Sequence, residues 1–368
     1  MPLNGQNFLK NSALQIPPKT SEIEISVFGR GYGECIVLHC GNNEFIVVDS
    51  FINAYTKNPI CLDYLSSMGI PSTSIKRVVV THWHKDHIEG IDKVLEQSSP
   101  DAKIVLSPII REEKFHEYLQ LGISEGNEST SVFAKVYDYI EKTGGQNVVL
   151  ATQHARIYCN EKMNNAEIHT LSPQDSDLFK FLKNIILPAP NQPTSYSLPD
   201  DNLLSLVLLL KKDSEGILMG GDLESTGTKN MDWDAVVENY EHTNTYPSIF
   251  KLPHHGSWTG HNDRVWKEIL SEFPISIATA FNKGKKLPMP NDIERIKKFS
   301  KSLYVVGNKG IPNKELQNKA KKVLGHNANI SAINTNIGLF RYRKDLVTGK
   351  YNIETFGAVN KYETKPGL

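Results

Sequence analysis

Long apolar runs are missing from this 368-residue sequence. The longest apolar stretch, 203–210, contains a serine and falls far short of the roughly 20 residues that a membrane-spanning helix needs. The first 20 residues are polar and are interrupted by Pro17 and Pro18, unlike a secretory signal. We therefore expect a soluble cytoplasmic protein that does not enter a membrane.

Net charge and paired cysteines are missing as well. Lys plus Arg equal Asp plus Glu at 41 each, so no global charge favours a nucleic acid or a membrane surface as partner. The four cysteines lie far apart without a C-x-x-C pair, which argues against a zinc ribbon and a disulfide scaffold. Any preference for a polyanion must therefore be local.

Alternating strand and helix patterns predict an α/β protein. Strand patterns with glycine turns occupy 23–49, a β-branched strand ends at Thr81, and a helix pattern follows over 87–97. The next segment differs, because it carries two charged helical stretches and proline-rich turns, and we interpret it as a partly helical insertion. The predicted organisation is an N-terminal extension (1–22), a first half of the domain (23–110), the insertion (111–199) and a second half (200–368).

A dense group of metal-binding residue types follows the strand that ends at Thr81. The segment T-H-W-H-K-D-H holds four ligand-type side chains within six positions: His82, His84, Asp86 and His87. Alternate side chains of an extended segment share a face, so the first three point together while a turn brings in His87. Imidazole and carboxylate groups suit zinc or manganese. The pattern therefore favours a metal site over a polar loop.

This H-x-H-x-D-H pattern resembles the signature of the metallo-β-lactamase superfamily. The resemblance implies a four-layered αβ/βα sandwich with two divalent metal ions, Zn or Mn, one of them weakly held. It further implies that Asp222 and His255 are ligands and that Asp86 and His254 act in catalysis, although the roles of the two adjacent histidines can be exchanged. Asp49 matches an aspartate that orients a ligand from outside the coordination sphere, with helix capping as the alternative.

Four stretches resemble one subgroup, the hydrolase domain attached to bacterial competence DNA-uptake channels, which we expect here without the channel. They are V-F-G-R-G-Y-G-E, N-L-L-S-L-V-L, G-G-D-L-E and P-H-H-G-S. As in that subgroup, Asn202 stands where most of the superfamily has a histidine, and it is either a weak ligand or a strand cap. Glu34 and Met289 replace an aspartate and a histidine, which puts the substrate contacts of the subgroup in question.

Residues 281–324 carry a local excess of positive charge, with 12 Lys and Arg against three Asp and Glu. We expect Lys283, Lys285 and Lys286 in this segment to bind a polyanionic substrate. A solvated helix face is the alternative interpretation, because no aromatic stacking platform is interleaved with these charges.

These features favour a metal-dependent hydrolase, specifically a phosphodiesterase or nuclease that uses a metal-activated water. The sequence has no nucleophile elbow and no Walker-type phosphate loop. The alternatives are a hydrolase of small phosphoesters of the cyclic nucleotide or phosphocholine type, a thioesterase, and a non-catalytic metal-stabilised binding module. The expected partner is nucleic acid or another phosphodiester substrate, and the sequence indicates no particular protein partner.

Overall fold

The computed structural model describes residues 9–163, 166–185, 201–212, 215–240, 245–307 and 337–364. The strands are β1 Glu22–Gly29, β2 Glu34–Cys40, β3 Phe45–Val48, β4 Ile75–Val79, β5 Lys103–Leu106, β6 Val148–Leu150, β7 Arg156–Asn160, β8 Ala166–Thr170, β9 Leu208–Lys212, β10 Glu215–Met219, β11 Ile249–Lys251, β12 Ile275–Thr279, β13 Ser302–Val306, β14 Gly338–Asp345, β15 Tyr351–Gly357 and β16 Val359–Glu363. The α-helices are α1 Ile60–Ser67, α2 Lys85–Ile88, α3 Ile91–Gln97, α4 Glu113–Ser124, α5 Glu128–Lys142, α6 Asp175–Asn184, α7 Asp232–Glu238 and α8 Pro290–Phe299. Within these ranges, every helix is too short or too polar to traverse a bilayer.

The strands form two mixed sheets of eight strands each. The first has the order β15-β14-β1-β2-β3-β4-β5-β6 and is parallel from β3 to β6. The second has the order β16-β13-β12-β11-β10-β9-β8-β7 and is parallel from β10 to β13. Because neighbouring parallel strands end at the same edge of a sheet, the loops that follow β3 and β4 meet in one place, as do those after β10 and β11.

The two sheets and the helices on their outer faces form four layers, with an apolar cluster between each neighbouring pair. The inner cluster, which includes Ile25 and Leu208, fills the space between the two sheets. A second cluster, with Tyr64 and Phe133, packs helices against the outer face of the first sheet. A third cluster around Trp233 does the same for the second sheet. The fold is therefore the αβ/βα sandwich that the sequence predicts.

The described part of residues 111–199 contributes strands to both sheets and helices that pack against the first sheet's outer apolar cluster. The described part of this segment includes β6 of the first sheet and β7 and β8 of the second. Its helices pack on Trp83, whose ring lies 4.9 Å from that of Phe115 and 5.7 Å from that of Phe181. The boundaries proposed for an insertion remain a prediction.

One helix prediction was wrong in detail. The pattern over 87–97 corresponds to two helices, α2 and α3, which are separated by Gly90. Gly90 has a φ of +82°, and a Cβ atom there would lie 2.3 Å from Cδ1 of Ile52. Only glycine fits this left-handed position without strain. The break ends α2 shortly after Asp86 and His87, so these two residues belong to a separate short helix and not to α3.

Candidate metal centre

The residues singled out by the sequence follow four strands that end at the same edge of the sandwich. Asp49 follows β3, and the segment 81–87 follows β4, both in the first sheet. Asp222 and His255 come shortly after β10 and β11 of the second sheet. The topology therefore brings together side chains that are far apart in the sequence.

Two overlapping groups of three ligand-type residues lie at this edge. His82, His87 and Asp222 form one group, and Asp86, His87 and His255 form the other, with the ligand atoms of each within 4.8 Å of one another. The Nε2 atom of His87 lies 3.4 Å from Oδ2 of Asp222, and that of His255 lies 3.4 Å from Oδ2 of Asp86. All five side chains are buried. Five of the six predicted ligands therefore converge here.

Asp49 positions two of these imidazoles. Its Oδ2 atom accepts a hydrogen bond from Nδ1 of His87 at 2.8 Å and another from the hydroxyl of Thr81 at 2.7 Å. That hydroxyl oxygen lies 3.0 Å from Nδ1 of His82 and, because its proton points to Asp49, accepts the imidazole proton. Both histidines are thus bonded at Nδ1, which directs the other ring nitrogen, Nε2, toward the centre.

A second chain of contacts positions His255. Its Nδ1 atom lies 3.0 Å from the hydroxyl of Thr279, which donates to Glu34. The other carboxylate oxygen of Glu34 forms an ion pair of 2.6 Å with Lys251, and both side chains are buried. Glu34, noted in the sequence only as a departure from the subgroup, therefore supports a ligand-type histidine through Thr279.

His84 occupies the outer side of the centre. Its Nδ1 atom lies 3.0 Å from Nε2 of His82, and its Nε2 atom lies 3.6 Å from Oδ2 of Asp201. Asn202, the predicted weak ligand, is buried in the same short turn, 201–204. The structure thus places a carboxylate beside His84 at the position next to the one that the sequence singled out.

Charges in the centre are strongly coupled. Burial alone raises the pKa of Asp86, but the imidazoles of His87 and His255 outweigh it and bring that pKa to about 2. Burial lowers the pKa of His82 well below its usual range, and the neighbouring His87 and His84 lower it further. An ionised Asp86 and a neutral His82 are the forms that bind a metal ion. The pKa of His87 is shifted the other way: burial lowers it, but Asp222, Asp86 and Asp49 outweigh burial and raise it well above its usual range.

The donor set fits divalent metal ions. Among the described residues, Nε2 of His87 and Oδ1 of Asp222 are buried polar atoms without a hydrogen-bond partner. Such atoms are costly in a folded protein unless a ligand satisfies them. A third group, Glu34, Asp49 and His87, also lies close together, but the contacts to Lys251 and the loop after β4 already engage its carboxylates. The first two groups are therefore the candidate metal ligands.

His254 lies at the rim, in contrast to the buried His255. Its Nδ1 atom donates to the carboxylate of Glu224 and lies 2.9 Å from the hydroxyl of Thr259 and 3.1 Å from that of Ser257. Both histidines have left-handed backbone conformations, with φ of 42° and 55°. This strained turn sends the imidazole of His255 to the ligand group and holds that of His254 at the rim.

A cleft of about 410 Å³ opens over the centre. Its described lining consists of Tyr32, His84, Lys85, Asp86, Ser129, Asp222, His254, His255, Phe281, Lys283 and Gly284. Of the three predicted substrate-binding lysines, Lys283 lines the cleft, whereas Lys285 and Lys286 are exposed on the same loop outside the lining. Lys309 and the basic residues that follow it to residue 324 lie outside the described residues.

Sequence reasoning missed the residues that hold the histidines in place. They are Thr81, Asp201, Glu224, Lys251 and Thr279. Each is a common polar residue whose role depends on a contact to another loop. Thr81 and Glu224 lie within the T-H-W-H-K-D-H and G-G-D-L-E segments, but neither segment indicates the contact that the residue makes.

Fold and site together define an α/β sandwich with a histidine and aspartate centre suited to metal ions. Residues 28–148 match the family model described as the metallo-beta-lactamase superfamily. The match covers about a third of the chain, and it includes the T-H-W-H-K-D-H segment and the strands that lead to it. The fold class predicted from the sequence is thereby confirmed.

Solved structures with similar folds differ widely from this chain in sequence. A hydrolase of the beta lactamase superfamily, AbOPH, is 16% identical, with a TM-score of 0.30, and the match covers 51% of this chain and 55% of that one. The metallo-beta-lactamase SMB-1 is 12% identical, with a TM-score of 0.33, over 66% of this chain and 82% of that one. A flavo di-iron protein mutant from Thermotoga maritima is 15% identical, with a TM-score of 0.27, over 64% of this chain and 41% of that one. No curated protein matches the sequence.

Proposed function

We propose that this protein is a metal-dependent phosphodiesterase that cleaves nucleic acid. The observation that carries the proposal is the position of the two ligand groups on the floor of a cleft that Lys85 and Lys283 also line. Divalent ions bound there would polarise a phosphodiester and activate a water molecule. The resemblance of the motifs to the competence-type hydrolase domain supports the same substrate class.

Individual residues have distinct roles in this proposal. His82, His84, Asp86, His87, Asp222 and His255 are the proposed metal ligands. His254, held by Glu224, donates a proton to the leaving oxygen. Lys283 attracts the phosphate backbone, with Lys285 and Lys286 extending the positive loop beyond the cleft. Zinc and manganese remain the proposed ions, because imidazole and carboxylate ligands suit both.

The test is cleavage of labelled single- and double-stranded DNA and RNA with Mn²⁺, Zn²⁺ or Mg²⁺, beside metal analysis of the purified protein. We expect chelator to abolish cleavage and Asp86→Ala to lower it more than about 100-fold, beyond the loss typical of an outer contact. Asp101→Ala is the matched control, because its side chain is 81% exposed and precedes β5, away from the site. Cleavage that survives in Asp86→Ala would contradict the proposal, as would full activity in Asp222→Ala, which a non-catalytic binding module predicts.

A hydrolase of small phosphoesters is the second candidate, and one observation favours it. Ser129 of α5 lines the cleft, and Lys85 is paired with Glu128 of the same helix at 2.5 Å, so the 111–199 segment forms one wall. Charge reversal of Lys283, Lys285 and Lys286 separates the candidates. A nuclease should lose affinity and show a weaker salt dependence, whereas turnover of a small ester should not change.

A further inference from the structure

Trp258 is an exposed aromatic side chain on the turn that carries the two central histidines. It is 66% exposed. It directly follows Ser257, whose hydroxyl lies 3.1 Å from Nδ1 of His254. Trp258 comes four residues after His254, which lines the cleft, so the chain keeps the two residues within about 14 Å of each other. Burial in the core does not account for an indole in this position, because most of its surface faces water.

Arg295 of α8 holds this indole in place. Its Nη2 atom donates to the carbonyl oxygens of Gly256 and Ser257 at 2.9 and 3.0 Å, and its Nη1 atom pairs with Asp292 at 2.7 Å. The guanidinium carbon lies 5.0 Å from the centroid of the Trp258 ring. One cation thus fixes both the turn and the aromatic ring, which leaves the indole exposed but supported.

A second pair of the same kind lies in the cleft itself. The ammonium nitrogen of Lys283 lies 4.7 Å from the centroid of the Tyr32 ring. That ring lies 5.6 Å from Phe281, and Phe281 lies 5.0 Å from the ring of His255. An aromatic row with a cation over its outer ring therefore extends from the ligand group toward the solvent.

Aromatic rings accompanied by cations are the elements with which proteins bind unpaired nucleic acid. Bases stack on the rings, and the cations attract the phosphates. In a duplex the base faces are covered by their neighbours, so these platforms serve only an unstacked strand. The sequence pattern of the basic segment 281–324 shows no aromatic platform. In the fold, however, Trp258 packs against Arg295, which belongs to that segment.

We infer that the cleft selects single-stranded nucleic acid and that Trp258 is a stacking site for a base flanking the cleaved phosphodiester. The inference rests on the proposed nuclease function and adds the strand class and a residue that recognises it. Tyr32 stacks a base closer to the centre. Lys283 lies beside the Tyr32 ring and attracts a phosphate, whereas Arg295, which is paired with Asp292, holds the Trp258 ring in place.

The experiment compares Trp258→Ala with Trp258→Phe on a thymidine oligonucleotide, an abasic strand of equal length and a duplex. Tyr351→Ala is the control for loss of an exposed aromatic, because Tyr351 is 55% exposed and pairs with Lys344, at the opposite end of the first sheet from Gly29 and the Tyr32 loop. Binding is measured by fluorescence anisotropy in chelator, and cleavage is measured with metal.

We expect Trp258→Ala to weaken binding of the thymidine strand and raise its KM by about 5- to 100-fold, with little change in kcat. Trp258→Phe should retain most of the affinity, and the abasic strand should be insensitive to either variant. Equal losses on thymidine and abasic strands, or a preference for duplex that Trp258→Ala leaves intact, would overturn the inference. If no strand is cleaved but thymidine binding still depends on Trp258, the stacking site stands and the nuclease proposal fails.

Discussion

At the scale of single residues, the candidate centre depends on carboxylates that hold imidazoles. Asp49 holds His87 at 2.8 Å, and Asp201 lies 3.6 Å from His84. If the Nδ1 atom of His84 is a ligand, then Asp201 orients it through the opposite nitrogen. We expect Asp201→Asn to lower metal affinity by about 10- to 100-fold, as loss of such a partner typically does.

Isothermal titration with Zn²⁺ and with Mn²⁺ measures this effect, and a two-site binding curve should lose its weaker component first. Asp175→Asn, an exposed aspartate at the start of α6, is the control. Unchanged affinity in Asp201→Asn together with a loss in Asn202→Ala would instead assign the supporting role to Asn202.

A buried histidine outside the centre makes stability depend on pH. Burial lowers the pKa of His39 to about 4, and Nε2 of its ring accepts a hydrogen bond from the Asn43 amide at 3.1 Å. The unfolded chain takes up a proton near pH 6.5, whereas the folded chain does not. The stabilising contribution is therefore complete above pH 6.5 and is lost as the pH falls toward 4.

Comparison with His39→Gln isolates this effect, since glutamine keeps an acceptor for Asn43 but does not titrate. Between pH 7 and pH 5 the wild-type protein should lose about 2 kcal/mol of unfolding free energy relative to the variant. Urea unfolding at the two pH values measures the difference. Parallel losses in both proteins would show that His39 is protonated in the folded state.

At the scale of elements, a buried ion pair joins the two sheets beneath the site. Glu34 begins β2 of the first sheet and Lys251 ends β11 of the second, and their charged atoms lie 2.6 Å apart. Lys251→Met leaves a buried carboxylate without its cation, which should cost about 3–5 kcal/mol in unfolding free energy. Adding Glu34→Gln should recover much of this loss, as measured by urea unfolding. A single variant as stable as wild type would show that water reaches Glu34.

Local patterns predicted elements and the densest part of the centre, but not the contacts between elements. The H-x-H-x-D-H pattern is local, so its residues were found together. The exposed Trp258 was missed because its partner Arg295 is distant in sequence and reaches it only through the packing of α8. Asp201 was missed for a different reason: spacing identified the turn, but it does not determine which of two adjacent side chains turns toward His84.

At the scale of the whole molecule, the centre lies at the seam between the two sheets. His82, Asp86 and His87 come from the loop after β4, whereas Asp222 and His255 come from loops of the second sheet. An unfolded chain does not bring these groups together, so metal binding is linked to folding of both sheets at once. Residues that join the two sheets, such as Lys251, should therefore affect the metal affinity as well as the free energy of unfolding.

Removal of metal should consequently lower the melting temperature of the entire domain. A metal at 100 times its dissociation constant stabilises the folded state by about 2.7 kcal/mol, which corresponds to a shift of a few degrees for a chain of this size. Differential scanning calorimetry with and without chelator measures the shift. Asp222→Asn should melt at the same temperature in both conditions, because Asp222 belongs to the group that would hold the metal between the sheets. A chelator effect of equal size in that variant would place the stabilising metal elsewhere in the molecule.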